Sequence, residues 1–179
     1  NAIGLVKSSS SYAAVARIEW KPNTTSFGGY ALADIVLADG TVQEKVTVAS
    51  VNGNAANATV SQNGNFYTQG VPTSGSVSIY WNNNTEYYKH IMSYSVNADG
   101  SYNLMPLKDH ATTATEDSVL DLSQATYTKG SGTIYNKTNT VVATASTVFL
   151  YINENGYSYT VYTGKDNAPS ISDATMCVK

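Results

Sequence analysis

The feature that most restricts this chain is the period of its apolar residues. They recur at every second position along most of the sequence and nowhere sustain the 3.6-residue stripe of an amphipathic helix. Such a chain builds strands. In Ala14 to Trp20 the side chains of Ala14, Ala16, Ile18 and Trp20 share one face, with Val15, Arg17 and Glu19 on the other, as in a half-buried strand. Ala31 to Leu37 and Thr41 to Val48 follow, separated by Asp39-Gly40. A two-residue turn there would pair Leu37 with Val42 and Ala33 with Val46. Residues 53–70 are rich in Asn, Gln and Gly and predict a long loop, with a short strand around Asn65 to Thr68. Val77, Ile79 and Trp81 alternate with Ser76, Ser78 and Tyr80 before an Asn82-Asn83-Asn84 loop. Tyr88, His90, Met92, Tyr94 and Val96 then share a face, and the chain turns again at Ala98-Asp99-Gly100. A three-residue loop with Gly100 in the left-handed region sets Val96 opposite Tyr102 and Tyr94 opposite Leu104.

Lys108 to Ser118 carries no apolar residue larger than alanine and predicts a linker or crossover. Beyond it come strands over Val119 to Leu122 and near Ala125 to Thr128, then a hairpin around Asn136-Lys137-Thr138-Asn139. The strongest strand pair is Thr147 to Ile152 with Tyr157 to Tyr162, joined at Asn155-Gly156. Only Asp117 to Ser123 could form a turn of helix. The expected fold is all-β, with two small packed barrel-like or sandwich-like antiparallel units: residues 1–107, a linker or crossover over 108–118, and residues 119–179. Ala174 to Val178 reads as an outgoing strand with Met176 and Val178 packed. The start at Asn1-Ala2, without methionine, suggests a processed or excised fragment whose first residues are a cloning scar.

Composition excludes several function classes. The chain's 179 residues can bury a substantial core unaided. Its 10 Lys and Arg against 13 Asp and Glu give a net charge of −3, too little positive charge to neutralise phosphates. Nucleic acid and a polybasic membrane patch are therefore set aside as partners. No run of 18 apolar residues is present, so no membrane insertion is expected. Cys177, the lone cysteine, can form neither an internal disulfide nor a thiolate zinc site.

Residues with catalytic potential lack the company that catalysis needs. His90 lies on an apolar strand face and reads as a structural histidine. His110 stands among Asp109, Glu116, Asp117 and Asp121, at spacings that match no metal-binding loop, so a solvated acidic loop is the plainer reading. Gly164-Lys165 looks like the end of a phosphate loop, but Asp166 replaces the required Ser or Thr and no glycine lies five positions earlier. No G-x-S-x-G elbow is present and no histidine follows His110. Paired carboxylates for glycoside hydrolysis leave no local signature, yet Asp39, Asp99, Asp109 and Glu154 sit at turns or in polar loops. No catalytic residue, metal or cofactor is therefore expected. Four Asn-x-Thr sequons, at Asn23, Asn57, Asn83 and Asn136, are what chance gives in a chain with 17 Asn and 21 Thr.

Tyrosine stands out, with 14 copies. Each ring joins an apolar face to a polar tip and suits either a core or a stacking platform. The hairpin of residues 147–162 is apolar on both sides. If Leu150, Ile152, Tyr159 and Val161 face the core, then Phe149, Tyr151, Thr160 and Tyr162 project from a face that must be covered by the first unit or left open for a neighbouring domain or a glycan. Phe149, Tyr151 and Tyr162 are thus the candidate binding residues.

The run Thr147-Val-Phe-Leu-Tyr-Ile-Asn-Glu-Asn-Gly156, continued by Tyr159-Thr-Val-Tyr-Thr-Gly-Lys165 and closed by Ala168-Pro169, resembles a recurring β-module of large Gram-positive (Firmicutes, gut clostridial) surface proteins that carry S-layer homology domains. Met92-Ser-Tyr-Ser-Val-Asn-Ala-Asp-Gly-Ser-Tyr102 does likewise. The sequence departs in having Asn153 and Asn155 where acidic residues are frequent, and it holds no S-layer homology domain of its own. The resemblance implies an extracellular, cell-surface location and a structural or adhesive role, and it supplies no catalytic residues. The expected function is a non-enzymatic spacer or adhesion module whose partners are neighbouring domains of a larger surface protein and cell-wall or host glycan. A carbohydrate-binding module and a polysaccharide hydrolase are the alternatives.

Overall fold

The computed structural model describes residues 12–22, 29–51, 54–55, 60–62, 65–68, 71–72, 87–109, 118–152 and 158–179. Among these there is no helix. The first described elements are three long strands: β1 (Tyr12–Pro22), β2 (Gly29–Leu37) and β3 (Val42–Val51). Four short ones follow: β4 (Asn54–Ala55), β5 (Val60–Gln62), β6 (Asn65–Thr68) and β7 (Val71–Pro72). β5, β6 and β7 form a small separate antiparallel sheet, so the strand expected near Asn65 to Thr68 is present. The strand and loop expected over residues 76–84 lie outside the described residues. A second hairpin consists of β8 (Tyr87–Val96) and β9 (Tyr102–Asp109).

These long strands close on themselves. β1 pairs with β2, β2 with β3, β3 with β9 in parallel, β9 with β8, and β8 returns to β1. In chain order this is a barrel 1-2-3-5-4-1 with one parallel seam, the connectivity of the five-stranded OB-type Greek-key barrel. Closure leaves no open edge in this part of the sheet. The inside holds Ala13, Val15, Ala31, Ala33, Ile35, Val48, Val51, Met92 and Leu104. Alternation alone would put Ala14 and Ala16 on one face. However, the register slips between Val15 and Arg17, so Ala13 and Val15 point into the barrel, while Ala16 is buried outside that cluster.

The two Asp-Gly turns share one geometry. At Ala98-Asp99-Gly100 the Asn97 N–H donates to Ser101 O and the Gly100 N–H to Asn97 O, with Gly100 at φ 85. Tyr94 faces Leu104 and Val96 faces Tyr102, as the three-residue loop requires. At Ala38-Asp39-Gly40 the pattern repeats, with Leu37 N–H to Thr41 O and Gly40 at φ 88. The turn there has three residues and not two, so Val36 faces Val42, whereas Ala33 still meets Val46. A bulge on β3 opposite Asp34 absorbs the difference, with Lys45 at φ 52.

The remaining strands are β10 (Ser118–Tyr127), β11 (Thr133–Tyr135), β12 (Thr140–Val142), β13 (Val148–Ile152), β14 (Tyr159–Thr163) and β15 (Ile171–Val178). β12, β11, β10 and β15 make a curled sheet on which the β13–β14 hairpin closes a second core of Leu122, Ala125, Tyr127, Ile134, Ala143, Phe149 and Ala168. Met176 and Val178 pack against it, as their alternation predicts. The hairpin at Asn136 to Asn139 forms where expected, closed by Asn136 N–H to Asn139 O. Two expectations need correction. Ser118 to Ser123 is strand, because β15 pairs with it, and not a helical turn. Nor are all of residues 108–118 linker: Lys108 and Asp109 end β9, Ser118 begins β10, and Ser118 faces Lys108 while Val119 faces Asp109 in a parallel pairing that runs one sheet through both units.

Candidate functional site

The aromatic hairpin lies where the two units meet, and its faces are the reverse of those expected. The register is as predicted: Ile152 faces Tyr159, Leu150 faces Val161 and Phe149 faces Tyr162. The Asn155-Gly156 turn itself lies outside the described residues. Phe149, only 8% exposed, is part of the second unit's own core, with its ring centroid 4.9 Å from that of Tyr127. Tyr151 and Tyr162, half-buried, pack on the same cluster, edge-on to each other at 5.4 Å. The candidate face of Phe149, Tyr151 and Tyr162 is therefore not open, and what covers it is its own unit. The structural reason is the loop after β14. There the Tyr127 hydroxyl donates to the carbonyl of Lys165 and the Tyr151 hydroxyl to that of Pro169, drawing these rings inward. Gly164-Lys165 serves as a fastening: Gly164 N–H donates to Thr147 O, Lys165 N–H to Thr144 O, and Lys165 O accepts from Gly130 N–H.

The opposite hairpin face, carrying Val148, Leu150, Ile152, Tyr159, Val161 and Thr163, meets the barrel. A Cβ placed on Gly40 would sit 2.8 Å from Thr163 Oγ1 and 3.7 Å from Val148 Cγ2. Farther along, the Tyr159 hydroxyl donates to Asp34 Oδ2 at 2.9 Å. Asp34 Oδ1 accepts the Lys45 N–H at 2.9 Å, so one carboxylate holds both the left-handed bulge residue of β3 and the tyrosine of the other unit. Burial, then the hydrogen bond to Asp34, then the charges of Asp34 and Glu44 push the Tyr159 hydroxyl up to about 12, with Arg17 opposing them. That phenol keeps its proton at neutral pH. It is a hydrogen-bond donor there and not a nucleophile or base.

This node was missed by the sequence reading, although Asp34 interrupts the apolar run Ala31 to Leu37 and so carries a signal. In barrels of this connectivity the outer face of the second and third strands is a frequent ligand platform. Here it carries Asp34 and the Lys45 backbone, turned toward Tyr159.

The other residues singled out from sequence fall as follows. Asp39 accepts the Thr41 N–H at 2.9 Å, and Asp99 accepts the Ser101 hydroxyl at 2.6 Å and the Ser101 N–H at 2.9 Å, which lowers both carboxyls from their ordinary value. The Asn136 amide is engaged within its own turn and with Ser123 O. His90 lies in β8 with its side chain outside the described part, and His110, Glu116, Asp117, Glu154 and the sequons at Asn23, Asn57 and Asn83 lie outside the described residues. Among the described residues no three His, Cys, Asp or Glu side chains gather as metal ligands. Comparison with protein-family models, curated proteins and solved structures finds no match to the chain.

Proposed function

We propose that the chain is a non-enzymatic structural and interaction module of a bacterial cell-surface protein, working beside neighbouring domains of the same polypeptide. One observation carries this reading. The aromatic side chains that could have formed a stacking platform are spent on the second core, and the hairpin that bears them is bonded to the barrel through Tyr159 and Asp34. Two units without a disulfide are thereby joined into one body by a shared sheet and a partly buried hydrogen bond. The Thr- and Asn-rich, charge-poor composition and the resemblance of the segment from Thr147 to Lys165 to S-layer-associated modules support the extracellular, cell-wall-associated location.

Brief proteolytic shaving of intact cells of the producing organism, followed by detection of peptides from this chain, tests the location. Their release from unbroken cells is expected, and their recovery only after lysis would refute it. A glycan array with the purified protein tests the role. Saturable binding to a polysaccharide would favour the carbohydrate-binding alternative, and hydrolysis of an arrayed glycan would favour the enzyme.

A further inference from the structure

The second unit has an inner and an outer end. Lys179 lies over the Tyr12 ring, 4.6 Å from its centroid, and Val178 faces Leu120 near the start of β10. β11 joins β10 at the other end, where Tyr127 faces Ile134, roughly 20 Å away along the strand. β12 lies beyond it and is the last strand in the sheet order.

At this outer end no described strand pairs with the far side of β12, and this backbone edge coincides with exposed apolar side chains. Asn139 O accepts from Asn136 N–H, and Ala143 N–H donates to Gly132 O. The alternation of an antiparallel pair therefore turns the amide and carbonyl groups of Thr140 and Val142 away from β11. Val142 is 73% exposed and Tyr135, on the same sheet face, 47%. Natural proteins usually guard such an edge with charge. Residues 138–152 contain no charged side chain.

We infer that β12 is a self-association edge, occupied by β12 of a second copy of this chain. Antiparallel pairing centred on Val141 sets Thr140 of each copy opposite Val142 of the other. The outward N–H and C=O groups of these residues then bond to each other, as two-fold symmetry requires. The exposed Val142 side chains cover Thr140 across the seam, and the absence of charge along the edge means that no like charges are brought together. A partner strand of different sequence would need its own complementarity, whereas this edge is complementary to itself. With three residues per edge the association is weak, with a dissociation constant of about 100 µM. The pairing is a property of the isolated chain, so its test is independent of the cellular location proposed above.

The test is sedimentation velocity on the full chain from about 5 µM to about 1 mM, a range that brackets that constant. A concentration-dependent monomer–dimer equilibrium is expected. Val142→Lys and Val142→Glu, at an exposed position, should each leave the melting temperature in place and weaken dimerisation at least tenfold. An equimolar mixture of the two should regain dimer, because position 142 of one copy lies diagonally across the seam from position 142 of the other, within reach of long side chains, and the two then carry opposite charges. A wild-type chain that stays monomeric at the top of this range overturns the inference and leaves the edge to another polypeptide. A Val142→Lys protein that dimerises as well as wild type overturns it too, by placing the contact elsewhere.

Discussion

Gly40 and Gly100 occupy the same position in two Ala-Asp-Gly turns, at φ 88 and φ 85, yet differ in what lies over them. A Cβ on Gly100 would meet nothing within 4 Å, whereas one on Gly40 would strike Thr163 of the second unit. Gly100→Ala should cost only the left-handed backbone penalty, about 1 to 2 kcal/mol. Gly40→Ala should cost about 1 kcal/mol more through the forced contact. Denaturant melts check both, and the excess should vanish in a Thr163→Ala background. Tyr159 gives a prediction in pH. Its folded value, about 12, lies above its ordinary 10.0, so between these values the unfolded chain has lost a proton that the folded one retains. The stabilising contribution is thus complete below pH 10.0 and is lost as pH rises toward about 12. Stability measured across this window should fall, and Tyr159→Phe should flatten the fall. A slope unchanged in the variant would show that other tyrosines set it. The places of the Asp-Gly turns were legible in sequence because their chemistry is local, although the three-residue length of the first was not. The partnership of Asp34 and Tyr159 was not, since 125 residues separate its members.

Among the elements, the β13–β14 hairpin shows what alternation can and cannot say. Its register is the one that a two-residue turn at Asn155-Gly156 predicts, with Ile152 opposite Tyr159 and Leu150 opposite Val161. Which face turns inward does not follow, since Leu150 and Val161 are as apolar as Phe149 and Tyr162. Distant backbone carbonyls at Lys165 and Pro169, which accept the hydroxyls of Tyr127 and Tyr151, decide it. Phe149→Ala should therefore cost about 3 to 5 kcal/mol, and Tyr151→Phe about 1 kcal/mol for its lost hydrogen bond. Chemical denaturation followed by near-ultraviolet circular dichroism reads both. A Phe149→Ala cost below about 1 kcal/mol, typical of an exposed ring, would return this face to solvent. Bulges were the other hidden feature. Lys45, Gln124 and Asp173 are non-glycine residues at positive φ, and nothing in their side chains announces an extra residue in a strand.

For the molecule as a whole, the all-β class and the division into two units were legible, but the closure of the first five long strands was not. Closure depends on the parallel pairing of Val48 with Tyr102 and Val51 with Leu104, and parallel partners leave no turn signal between them. The same holds for β9 and β10, whose pairing runs one sheet through both units. That continuity predicts a single unfolding transition, with tyrosine fluorescence and far-ultraviolet dichroism sharing one midpoint. Asp34→Ala should lower that midpoint for both probes together, whereas two separated midpoints would show that the units melt independently. The contact of Lys179 with Tyr12 also has a mechanical meaning. A force applied through these two residues, whose side chains touch, starts from a short separation and pulls β1 and β15 away from their neighbours one rung at a time, instead of shearing whole ladders at once. The folded body thus adds little length to a polypeptide under tension. Once peeled open, its 168 residues from Tyr12 to Lys179 release slack of roughly 3.4 Å apiece. In an optical trap such a module behaves as stored length let out at low load.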